Sequence, residues 1–120
     1  MSGPPPSRLV LLSALDTCAK GDKVRFLGCV DEYVVEDATL CLKHRYPASA
    51  PPKTARVNVR HVLESVKARE LDVGSWLNVI GYVELRKEAG IFVQAVAVWD
   101  AGDVDLEAYG RAVDARNAAG

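Results

Sequence analysis

The chain has no long hydrophobic run and no excess of positive charge, and each absence narrows what it can be. No apolar stretch approaches the ~20 residues that span a bilayer. The start, Met1-Ser2-Gly3-Pro4-Pro5-Pro6, lacks the basic-then-apolar pattern of a signal peptide. The expectation is an intracellular soluble protein with no membrane partner. Three cysteines (Cys18, Cys29 and Cys41) are an odd number and contain no C-x-x-C pair. They read as free thiols rather than a disulfide framework, Cys29 and Cys41 falling inside predicted strands. Also missing are a nucleophile elbow, a phosphate-cradling glycine loop and H-E-x-x-H, so neither an enzyme nor a cofactor is expected.

Cys41-x-x-His44 resembles half a zinc site. On a strand, however, residues three apart point to opposite faces, and no second pair completes a tetrahedral set, so no metal is expected. The near-neutral balance, 15 basic against 16 acidic residues, bears on partners. A protein that grips nucleic acid alone is usually clearly basic, because phosphate neutralisation supplies most of the affinity. Either the nucleic-acid contact here is weak and local, or the main partner is another protein.

Two apolar, glycine-punctuated runs dominate what is present: Val24-Arg25-Phe26-Leu27-Gly28-Cys29-Val30 and Trp76-Leu77-Asn78-Val79-Ile80-Gly81-Tyr82-Val83. Each reads as a long strand with a glycine where it bends, as in a small coiled barrel. Residues 1 to 7 read as a disordered Pro/Ser/Gly leader, and Arg8 to Leu12 as an apolar patch against the barrel. Val24 to Val35 is the first strand and Ala38 to Tyr46 the second, with Leu40, Leu42 and Tyr46 on one face and Thr39, Cys41, Lys43 and Arg45 on the other. Pro47 to Pro52 is a loop, and Arg56 to Arg60 a short third strand with Val57 and Val59 inward. Val62, Leu63 and Val66 predict a short helix. Trp76 to Glu84 and Ile91 to Trp99 are the fourth and fifth strands, joined by a hairpin around Lys87-Glu88-Ala89-Gly90. On the fifth, Val93, Ala95 and Ala97 are assigned to the interior, and Phe92, Val96 and Val98 to the opposite face. A helix from 104 to 117 ends the chain, with acidic residues at its start.

The order is that of an all-β, five-stranded OB-fold Greek-key barrel, with a short helix between strands three and four and a C-terminal helix. Residues 8–120 are expected to form one domain.

Two features bear on function. Ala38 to Leu63 contains no Asp or Glu, yet carries Lys43, Arg45, Lys53, Arg56 and Arg60. Lys43, Arg45, Arg56 and Arg60 fall on one outer face of the second and third strands, where OB folds accept single strands, and Tyr46 offers a stacking surface at the edge. A solvated basic face explains the same pattern. On the terminal helix, Leu106, Tyr109 and Val113 form an apolar stripe flanked by Ala112 and Arg116. It either docks on its own barrel or meets a second protein; Gly110 in its middle calls for a packing surface.

In Val24-Arg25-Phe26-Leu27-Gly28, Val73-Gly74-Ser75 before Val79-Ile80-Gly81, Val93-Gln94-Ala95-Val96 and Leu106-Glu107-Ala108-Tyr109, the chain resembles the Ten-one family, the smallest subunit of the CST telomere-capping complex. The resemblance spans roughly 24 to 117. It implies a non-catalytic OB subunit that pairs with the larger OB protein Stn-one through its terminal helix and barrel. A third, DNA-reading subunit joins them to protect telomeric single-stranded overhangs and aid lagging-strand fill-in, in the nucleus at chromosome ends. Carried over, Leu106, Tyr109, Ala112, Val113 and Arg116 are interface residues. Lys43, Arg45, Tyr46, Arg56 and Arg60 give a weaker contact to single-stranded telomeric DNA. The small subunit of replication protein A is the alternative with the same element order.

Overall fold

The computed structural model describes residues 6–47, 49–86 and 90–119. Most of the expected leader, and Lys87, Glu88 and Ala89 of the expected hairpin, lie outside the described residues. The chain enters through a two-residue strand, β1 (Arg8–Leu9), and a 3-10 helix over Leu12–Thr17. Five longer strands follow: β2 (Lys23–Val34), β3 (Thr39–His44), β4 (Lys53–Asn58), β5 (Trp76–Arg86) and β6 (Gly90–Asp100). The C-terminal helix α1 spans Leu106–Ala119.

The long strand β2 serves both halves of the barrel. Its first half pairs antiparallel with β5 and its second half antiparallel with β3. Antiparallel β3–β4 and β5–β6 ladders continue the sheet, and a parallel β4–β6 pairing from Arg56↔Phe92 to Asn58↔Gln94 closes it. Closure removes the free edges that an open sheet of these strands would expose.

Alternation along these strands fills the interior with Val24, Phe26 and Val30 of β2, Leu40 and Leu42 of β3, and Val57 of β4. The 3-10 helix adds Leu12 and Leu15, both fully buried. Leu42 and Leu12 together explain Gly28: a Cβ there would stand 2.9 Å from Leu42 Cβ and 3.2 Å from Leu12 Cδ1. The glycine at the expected bend thus makes room first for Leu42 of β3 and then for the plugging Leu12 from outside the barrel strands. The apolar patch at Arg8 to Leu12 is therefore structural, contributing an extra strand and the start of the plug.

The interior assignment on β6 needs correction beyond its midpoint. Gly81 pairs with Ala95 but Ile80 pairs with Ala97, so Val96 is the extra residue of a β-bulge. A bulge shifts the two-residue phase. Val93 and Ala95 stay inward, Val98 joins the core in place of Ala97, and Val96 is left 45% exposed. The short helix expected around Val62 resolves into two 3-10 turns, Arg60–Val62 and Ala68–Leu71. Val62 reaches the core while Leu63 faces outward. Glu70 then begins the second turn by accepting the Lys67 N–H at 2.8 Å.

α1 starts two residues later than predicted because Asp105 caps it. The Asp105 carboxylate accepts the Ala108 N–H at 3.0 Å, and its carbonyl accepts the Tyr109 N–H at 2.9 Å.

Candidate interaction surfaces

α1 spends its apolar stripe on its own barrel. Val113 is 1% exposed, and Gly110 lies so close to the ring of Tyr46 that a side chain at 110 would collide with it. The ring of Tyr109 stands 6.2 Å from that of His44, and His44 meets Trp76 edge-on at 5.4 Å. A seat made from the ends of β3 and β5 thus receives one face of the helix. Val113 has no surface left for a partner, and Tyr109 is largely turned inward. Of the two readings of the stripe, docking on its own barrel accounts for Val113 and for the enclosed hydroxyl of the half-buried Tyr109. Leu106 is half-buried at the margin, while Ala112 and Arg116 are exposed. The outward face also carries Glu107 and Arg111, 3.7 Å apart one turn along.

The seat is polar as well as aromatic. Neither His44 Nε2 nor the Tyr109 hydroxyl has a hydrogen-bond partner among the described residues. Burial holds the His44 imidazole below its ordinary pKa, against a smaller opposing effect of its hydrogen bond to the Leu27 backbone. Burial likewise raises Tyr109, with Arg25 opposing. Tyr46 is raised by burial first and then by the negative Asp114 and Glu107 of the helix above it.

The basic segment is less basic in three dimensions than along the chain. Asp31, the extra residue of a bulge in β2, reaches Lys43 at 3.1 Å. Glu32 and Asp37 line the same shallow groove, about 420 Å³, as Arg56, Arg60 and Cys41. The neighbouring strand supplies the carboxylates that Ala38 to Leu63 lacks. Of the five residues assigned to nucleic acid, Arg56 and Arg60 share this groove and Lys43 lies two register steps beyond Cys41↔Arg56, on the same face of β3. Arg45 and Tyr46 follow the end of β3, and the half-buried Tyr46 ring lies against Gly110 of α1, so part of the expected stacking surface is taken by the helix. Inside the groove, Asn58 accepts from Gln94 at 3.2 Å and from the Arg60 N–H at 3.1 Å.

The thiols are free: Cys18 and Cys29 are buried and Cys41 half-buried. Burial raises the pKa of both Cys29 and Cys41.

His44 and Trp76 were not legible as helix anchors, because their meeting depends on which strand ends the barrel brings together. The same holds for two cation–aromatic pairs between β2 and the β5–β6 ladder. Arg25 lies 5.2 Å over the Trp99 ring and Lys23 lies 6.0 Å over the Tyr82 ring. Only Lys23↔Tyr82 are direct cross-strand partners, so register alone accounts for one of the two.

This barrel, with its short entering strand and docked terminal helix, matches a family described as telomere capping, CST complex subunit, over residues 1–114. The chain belongs to the Ten1 family. A solved Stn1–Ten1 complex from S. pombe contains a chain that superposes with a TM-score of 0.73 at 26% identity, covering 96% of this chain and 95% of that one. A telomere capping protein Ten1, described as from Saccharomyces pombe, gives 0.72 at 25% identity, covering 93% and 98%. Asparaginyl-tRNA synthetase of Entamoeba histolytica shares the fold alone, with a TM-score of 0.59 at 12% identity over 89% of this chain and 26% of that one. No curated protein matches. Ten1 membership favours the telomere-capping reading over the replication protein A alternative, and the family is one of structural, non-enzymatic subunits.

Proposed function

We propose that this Ten1 chain is a non-catalytic small subunit that works by pairing with a larger OB-fold protein of the Stn1 type. The observation that carries the reading is the division of α1 into two faces. Tyr109, Gly110 and Val113 seat the helix on its own barrel, which orients Ala112, Arg111 and Arg116 outward on a rigid base. A helix held this way presents a preformed surface, and preformed surfaces lose little entropy on binding. Ala112 permits close approach of a second helix, and Arg116 gives the rim a charged contact. Leu106 contributes at the margin, while Tyr109 and Val113 act from beneath by holding the helix in place.

Membership of a telomere-capping family supports the wider assembly of this reading: a third, DNA-reading subunit, a role at telomeric single-stranded overhangs and in lagging-strand fill-in, and residence in the nucleus at chromosome ends. Residues 8–120 act as one unit in it. Lys43, Arg56 and Arg60, with Arg45 beside them, supply a weak, salt-sensitive contact to single-stranded DNA. The carboxylates of Asp31, Glu32 and Asp37 keep that contact weak.

The test is recovery of bound proteins from nuclear extract of the source cell on immobilised full-length chain, identified by mass spectrometry. Enrichment of a larger OB-fold protein is the expected result. Enrichment of the large replication protein A subunits instead would overturn the telomeric assignment.

A further inference from the structure

The short strand β1 leaves one backbone edge open beside Arg8, which the pairing reading does not use, and near Arg116, which that reading places at the rim of the partner surface. β1 pairs in parallel with β2, Arg8↔Val24 and Leu9↔Arg25, and among the described residues it pairs with no other strand. The Val10 N–H donates to the Arg25 carbonyl at 2.9 Å. In a parallel ladder of this register, the flanking residues Arg8 and Val10 bond to β2, so the N–H and C=O of Leu9 face the other way. That edge opens into a groove of about 790 Å³ between β1 and the last turns of α1.

Arg8, Leu9 and Val10 form one side of the groove, Thr17 contributes from the plug, and Arg116 and Asn117 form the far side. No carboxylate lines it among the described residues. Arg8 donates one guanidinium N–H to Cys18 Sγ at 3.1 Å, which holds the group in place and leaves its other donors free. Neither Arg8 nor Arg116 is in an ion pair among the described residues.

We infer that this groove binds a short, extended acidic segment of another protein. The segment adds as a strand to the open edge at Leu9, and its carboxylates meet Arg8 on one side and Arg116 on the other. An open strand edge takes an extended peptide through main-chain hydrogen bonds, while flanking side chains set its sequence preference. Two guanidiniums without a counter-charge select carboxylates, because Arg pairs with them through two parallel hydrogen bonds. Pro6, which has no N–H to donate, limits the added strand at its upstream end. The segment is therefore short, and it serves as an added contact within a larger assembly.

The experiment uses the full chain and a fluorescein-labelled hexapeptide alternating aspartate and valine. Its lysine–valine counterpart and a short oligothymidylate serve as competitors. Fluorescence anisotropy gives affinity, and hydrogen exchange reads the Leu9 amide. The expected result is preference for the acidic peptide and protection of the Leu9 amide. R8E should weaken acidic-peptide binding on the order of tenfold, and R8E/R116E should transfer the preference to the lysine peptide. Arg8 lies off the helix, so R8E still co-purifies with the larger OB partner, which separates failure of this inference from failure of the pairing reading. Equal binding of both peptides, an unprotected Leu9 amide, or displacement by oligothymidylate would overturn it.

Discussion

His44 stands edge-on to Trp76, their ring centroids 5.4 Å apart at 80°, and Tyr109 of the terminal helix faces the same imidazole at 6.2 Å. A histidine at the end of a barrel strand, 3% exposed, is thus the meeting point of barrel and helix. Its burial favours the neutral form, so protonation opposes the folded state.

The pH dependence follows from that sign. The His44 pKa is lowered in the folded chain from an ordinary value of 6.5, so the unfolded chain takes up the proton first as pH falls. Stability from this group is complete above about pH 6.5 and declines below it. Urea unfolding of the chain should show a falling midpoint between about pH 6.5 and 5, above the carboxylate range. H44L should flatten that slope. An unchanged slope in H44L would show that His44 is not the titrating group.

Gly110 gives a test whose sign is unusual. Gly→Ala inside a helix ordinarily gains about 1 kcal/mol. Here the added methyl meets the ring of Tyr46, and overpacking typically costs about 1–3 kcal/mol. G110A should therefore destabilise, and the same change in a Y46A background should stabilise. A double-mutant cycle by chemical denaturation measures the coupling directly.

Val113 separates seating from pairing. Two methyl groups removed from a fully buried position cost about 2 kcal/mol. V113A should lower the unfolding free energy of the isolated chain by that amount. Its effect on pairing should be no larger than its effect on stability.

The mixed charge of the β3–β4 groove predicts weak, shallow salt dependence. With single-stranded DNA each neutralised phosphate contributes about 0.7 to the salt slope. R56A/R60A should reduce the slope by about 1.4, measured by anisotropy titration across salt concentrations. A D31N/E32Q variant should bind more tightly than the parent, because it removes the carboxylates beside these cations.

Much of the barrel was legible because its interior alternates: Leu40 and Leu42, Leu77 and Val79, Val93 and Ala95 each keep a two-residue phase. β1 was not, since two residues carry no period, and the plugging role of Leu12 and Leu15 depends on a long return through space. The bulge at Val96 broke the phase where a continuous alternation was assumed, which put Ala97 in the place of Val98. The stripe of Leu106, Tyr109 and Val113 was visible as a stripe. Which surface it covers was not, because helical periodicity gives the apolar face without its partner. The carboxylates beside the basic segment were not legible as its neighbours for a related reason: Asp31 and Glu32 lie outside Ala38 to Leu63 along the chain but next to it across the β2–β3 ladder.

The most direct test of pairing through the outer face of α1 is A112R, co-expressed with the Stn1-type OB protein and followed by co-purification and thermal unfolding. Ala112 is exposed and away from the His44–Tyr46 seat, so the isolated chain should keep its stability within about 0.5 kcal/mol. The partner should be lost from the purified complex. Full retention of the partner by a folded A112R chain would contradict pairing through this face.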